Sequence, residues 1–119
     1  MSTTTASSSV LIDARELHEK IERGDHFVLA EALALKYYQE KHLPKAIALP
    51  PADAARIAKE SFPAHDTPIV VYCASNTCNN SHEVAKELSA LGYTDVRVFA
   101  EGKKGWGEAG FPFEKDGST

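Results

Sequence analysis

The sequence predicts an α/β fold: an open, mostly parallel, five-stranded twisted sheet with helices on both faces. Short runs of β-formers alternate with helix-like patterns along the chain, and that order implies right-handed crossovers between parallel strands. Two of the runs, Phe27 to Glu31 and Ile69 to Tyr72, are too apolar to face water on either side. At 119 residues the chain is one domain, long enough to close a core without staples.

Residues 1–9 form a Ser/Thr tract without apolar periodicity, read as a disordered tail. The domain proper spans 10–114, and 115–119 is expected to fray. Val10 to Ile12 reads as a short edge strand. Asp13, with Glu16 three residues on, has the form of a capping box opening a helix that buries Leu17 and Ile21 and stops at Gly24. After the second strand, Phe27 to Glu31, Leu35 to Lys41 reads as a short helix ended by Pro44. Ala46 to Ala48 is a brief third strand, and Pro50, Pro51 and Asp53 start a helix through Ile57. Ile69 to Tyr72 is the fourth strand, and the helix behind it carries Val84, Leu88 and Leu91, with Gly92 as cap. Asp95 to Phe99 alternates as the fifth strand, and a last helix holds Trp106 and ends at Gly110.

Composition excludes several functions. A net charge of -4 with cations and acids intermixed argues against nucleic acid as a partner. No apolar run is long enough to span a bilayer, and the N-terminus lacks the pattern of a secretory signal, so a cytoplasmic protein is expected. Two cysteines without clustered histidines do not fill a zinc site, so no metal is expected. In a reducing compartment such a pair is more often catalytic, redox-active or metal-binding than structural.

The stretch IVVYCASNTCNNSHE places Cys73 at the carboxyl end of a buried strand, facing the amino end of a helix. Ligands of open parallel sheets sit at that end. Converging loop N–H groups and the helix dipole would favour an anion there, so Cys73 is expected to ionise below an ordinary thiol and act as a nucleophile.

Over nearly everything from Val10 to Glu114 the chain resembles the rhodanese family, as a single-domain member. The resemblance is carried by VLAEAL, YYQEKHLPKAIALP, IVVYC and LGYTDVRVFAEGKKGWGEAGFP. The last is the most specific, with Gly102, Trp106, Gly110 and Pro112 matching the family's glycine turn and tryptophan helix. It implies a thiosulfate sulfurtransferase-type enzyme, moving a sulfane sulfur from a donor such as thiosulfate to cyanide or a thiol through a persulfide on catalytic Cys73. The loop of Ala74, Ser75, Asn76, Thr77, Cys78 and Asn79 would bind the persulfide, its N–H groups and the Ser75 and Thr77 hydroxyls serving as donors. No cofactor is implied. The implied partners are a small-molecule sulfur donor and a thiol acceptor, with a protein acceptor left open.

Three departures from the family pattern stand out. Glu31-Ala32-Leu33 replaces the usual Asp-x-Arg, a loss that is near neutral if apolar packing substitutes for a buried ion pair. Lys41 and Lys45 replace glycines around the His-hydrophobe-Pro turn, and Glu101 replaces the first turn glycine. Rhodanese-fold phosphatases need an arginine six positions after the cysteine, where this chain has Asn79; no arginine lies between Arg56 and Arg97. Other residues carry bland readings: His82 as solvated surface, His42 as a turn histidine bonded to backbone, Tyr37, Tyr38 and Trp106 as packing, Lys103 and Lys104 as a solvated pair. Two other classes stay open, a non-catalytic rhodanese-like binding module and a thiol redox protein using Cys73 and Cys78.

Overall fold

The computed structural model describes residues 10–75 and 77–114, so the expectations for both tails and for Asn76 lie outside the described residues. Five strands form one sheet: β1 (Val10–Leu11), β2 (Val28–Glu31), β3 (Ile47–Ala48), β4 (Ile69–Tyr72) and β5 (Val96–Phe99). Their spatial order is β1-β5-β4-β2-β3, and every pairing is parallel. Between them run helices α1 (Ala14–Arg23), α2 (Leu35–Glu40), α3 (Ala54–Ser61), α4 (Asn80–Ala90) and, last, α5 (Gly102–Glu108). Among the described residues no helix is long and apolar enough to cross a membrane.

β4 lies at the centre, and its alternating side chains divide the core. Ile69 and Val71 join Ala54, Ala58, Val84, Ala85 and Leu88 from α3 and α4 on one face. Val70 and Tyr72 join Leu17 and Ile21 of α1 and Trp106 of α5 on the other. All four β4 residues are buried, each apolar one worth about 1.5–3 kcal/mol over an exposed position, so this strand fixes the sheet more firmly than the two-residue border strands β1 and β3 do.

Local chemistry sets the element ends. Asp13 caps α1 by accepting the Glu16 N–H at 2.8 Å, but the Glu16 side chain turns to Arg97 instead of completing the box. Gly24 closes the helix in the left-handed region, φ 73°. The helix expected to start at Pro50, Pro51 and Asp53 begins as a 3-10 turn over Pro51–Asp53, with Asp53 pairing with Arg56, and α3 runs past Ile57 to Ser61. α2 ends at Glu40, one residue early, and buries none of its residues fully.

Candidate active site

Cys73 follows β4 directly, and its side chain is fully buried. Its backbone is clamped from α5. The Lys103 N–H donates to the Cys73 carbonyl at 3.0 Å and the Lys104 N–H to that of Ala74 at 2.9 Å. Gly102 permits this approach, because a Cβ there would lie 2.3 Å from the Cys73 oxygen and φ is +62°. The glycine turn read from the sequence is therefore a contact surface for the cysteine itself.

The sulfur has different surroundings from those expected. The Cys73 S–H donates to the Cys78 carbonyl at 3.2 Å and approaches the Ser81 hydroxyl at 3.5 Å. Among the described residues two loop N–H groups are engaged elsewhere: the Cys78 N–H donates to the Ser75 carbonyl, and the Thr77 N–H to the Ser75 hydroxyl, which also contacts the Thr77 hydroxyl at 2.9 Å. Ser/Thr side chains have captured the backbone in a local turn, the competing arrangement for such residues. Burial, together with the contact from Cys78, pushes the Cys73 thiol up, against the Ser81 hydroxyl and N–H, which favour the thiolate. This corrects the expectation of a depressed pKa. At half-buried Cys78, burial is outweighed by its contact with Cys73 and by the Ala74 and Asn80 N–H groups, and that thiol is lowered. The anion-favouring place at the start of α4 thus belongs to Cys78.

Beside the loop opens a cleft of about 590 Å³, walled by Ser75, Thr77, Glu101, Lys104 and Glu108; Cys73 is not among the described residues lining it. Ala74 and Asn79 are exposed. Ser81, fully buried at the first turn of α4, is a site residue that sequence reading missed. It lies in phase with Val84, Ala85 and Leu88, and a polar residue on an apolar stripe was the available signal.

Next to Tyr72, at the end of β2, stands fully buried Glu31. Its Oε1 accepts from the Tyr72 hydroxyl at 2.7 Å, and that hydroxyl accepts the Leu43 N–H at 3.1 Å. Its Oε2 faces the Lys103 ammonium at 3.0 Å as an ion pair without aligned hydrogen-bond geometry, while Lys103 donates to the Tyr37 carbonyl at 2.7 Å. Burial raises the Glu31 carboxyl above its usual range against the opposing pull of Tyr72 and Lys103, and burial and the Glu31 charge raise the Tyr72 phenol. Two readings change accordingly. Apolar packing does not replace the family's Asp-x-Arg; a new cation, Lys103, comes from α5. Nor is Lys103 solvated, since only 11% of its side chain is exposed, whereas Lys104 is exposed and pairs with Glu108.

The remaining residues mostly behave as read. His42 is buried, its Nδ1 2.9 Å from the Tyr38 carbonyl and its ring stacked on Tyr38. His82 is exposed. Trp106 is buried and donates to the Pro112 carbonyl at 2.7 Å. Tyr37 differs: its ring is exposed, and its carbonyl is what the site uses.

A cysteine at the end of a central parallel strand, held by a glycine turn before a tryptophan helix, agrees with the comparison to known families, in which residues 3–109 match the model for the Rhodanese-like domain. The chain belongs to that family. No curated protein matches it. Among solved structures, a Bacillus halodurans protein superposes with a TM-score of 0.83 at 22% identity, over 90% of this chain and 77% of that one. A thiosulfate sulfurtransferase from Pseudomonas aeruginosa gives 0.74 at 23%, over 90% of this chain and 20% of that one. A structure described as rhodanese with anions from E. coli gives 0.61 at 25%, over 74% and 96%. These likenesses extend the rhodanese-like fold across most of the described chain.

Proposed function

We propose that this domain is a sulfurtransferase with Cys73 as nucleophile, working between a sulfane sulfur donor such as thiosulfate and a thiophilic acceptor, cyanide or a thiol. The observation that carries the reading is the placement of Cys73: at the carboxyl end of β4, between the first turns of α4 and α5, with the loop that follows it bordering an open cleft through Ser75 and Thr77. The Cys73 thiolate attacks the outer sulfur of thiosulfate, the donor S–S bond breaks, and sulfite leaves with the bonding pair. Attack by cyanide on the persulfide's outer sulfur then breaks the Cys73 S–S bond, giving thiocyanate and restoring the thiolate.

Because burial holds Cys73 protonated at rest, its proton must leave before attack. Ser81 and the loop Ala74, Ser75, Asn76, Thr77, Cys78 and Asn79 surround the terminal sulfur, once the loop N–H groups exchange their internal bonds for the persulfide. A small-molecule donor and a thiol acceptor, in a reducing compartment such as the cytoplasm, suit two free thiols.

The test is peptide mass analysis after anaerobic incubation with thiosulfate. One added sulfur on the Cys73 peptide is the expected result. No adduct from thiosulfate or other sulfane donors sinks the enzyme reading in favour of a binding module. The contact between Cys73 and Cys78 favours a second reading, a thiol redox protein, and a stoichiometric disulfide after one turnover would select it.

A further inference from the structure

The Glu31 and Lys103 pair joins elements that share no strand register. Glu31 ends β2, Lys103 lies in the first turn of α5, and the carbonyl of Tyr37 in α2 receives the same ammonium. The backbone of Lys103 also holds the Cys73 carbonyl, its neighbour Lys104 holds that of Ala74, and Gly102 presses against both peptide units. On the other side, Glu31 accepts from Tyr72, the residue immediately before Cys73. One carboxylate therefore grips the strand leading into Cys73 and the helix turn that clamps the peptides following it.

We propose that the Glu31 and Lys103 ion pair is a positioning device for Cys73, seating the first turn of α5 on the Cys73 and Ala74 carbonyls so that the sulfur meets the donor in a fixed orientation. Neither residue touches the sulfur or lines the cleft. The inference deepens the sulfurtransferase reading and rests on it for its kinetic arm alone. Stability by itself would not demand this pair, since apolar packing substitutes well for buried charges; what the charges add is a directed link between three elements.

The experiment compares wild type with the double variant Glu31→Gln/Lys103→Met. This variant removes both charges, strands neither, and leaves the Tyr72 hydroxyl an acceptor. Glu31→Gln/Lys103→Gln, whose residue-103 amide still donates to the Tyr37 carbonyl while both charges are gone, replaces it if the first double variant does not fold. Amide hydrogen exchange is followed at Lys103 and Lys104, with Val70 and Val71 as sheet references, and sulfur loading from thiosulfate is followed as kcat and KM. Expected are exchange at Lys103 and Lys104 at least about tenfold faster with the sheet amides unchanged, and a kcat about 10- to 100-fold lower at unaltered KM, the scale of a misplaced reacting group. Unchanged exchange at the two lysine amides overturns the proposal. So does an unchanged kcat in an enzyme whose wild type loads sulfur. If wild type loads none while the two amides respond as expected, the positioning of Cys73 stands and the sulfurtransferase reading is what fails.

Discussion

Two buried polar groups meet at the carboxyl edge of the sheet, and they are held in opposite ways. The Glu31 group is built from contacts distant in sequence: β2 to β4 through Tyr72, β2 to α5 through Lys103, β4 to the turn after α2 through Leu43. The Cys73 sulfur is held by its own loop, by Cys78 and Ser81 within eight residues. Long-range contacts form only when the whole fold forms and move only with it, whereas local ones rearrange with a loop. The backbone of Cys73 thus belongs to the rigid scaffold and its sulfur environment to an adjustable segment, a division suited to chemistry that adds and removes an atom.

The sharpest break of that comparison is Cys73→Ser. All sulfur loading should vanish while thermal unfolding hardly moves, because a similar side chain remains in a local pocket; loading that survives would transfer the role to Cys78. Next in size is Lys103→Met, which leaves Glu31 buried without its counter-charge. A loss of about 3–5 kcal/mol is expected in denaturant unfolding, well above that of any single loop substitution. A loss below about 1 kcal/mol would mean the pair behaves like a surface one.

On the local side, Cys78→Ser should shift the pH dependence of Cys73 alkylation. In wild type Cys73 should titrate above an ordinary thiol, through burial and the Cys78 contact; without the second thiol the midpoint should fall, with burial still holding it up. An unmoved midpoint would show that the two thiols do not communicate.

The smallest effect concerns Glu31 and pH. Its folded pKa is raised, chiefly by burial, with Tyr72, Lys103 and His42 opposing. From the ordinary carboxylate range up to that raised value the native state binds more protons than the unfolded one, so the Glu31 contribution to stability is present below the window and declines as pH rises through it. Glu31→Gln should remove that decline from the stability profile measured by urea unfolding.

How much of this was legible in the sequence follows the same division. Ile69 to Tyr72 and the strand end at Cys73 are written in local patterns and stand where those patterns put them, while the glycine turn at Gly102 was legible only through the family resemblance. The partner of Glu31 was not legible, because a lysine in GKKGW looks like any solvated lysine until the fold brings β2 and α5 together. The state of the loop failed for a local reason: Ser75 and Thr77 compete for the N–H groups that an anion would use, and composition alone does not rank those two uses.

Among the described residues both borders of the sheet are strands of two residues, β1 on one side and β3 on the other. A border so brief presents few unpaired backbone groups in line, too few to template a strand from a neighbouring molecule, even though Leu11 on β1 is largely exposed. The four-residue, fully buried β4 is kept in the interior of the sheet. Short border strands guard against edge-to-edge pairing, so lengthening β1 or β3 in an engineered variant is expected to raise aggregation before it strengthens the fold.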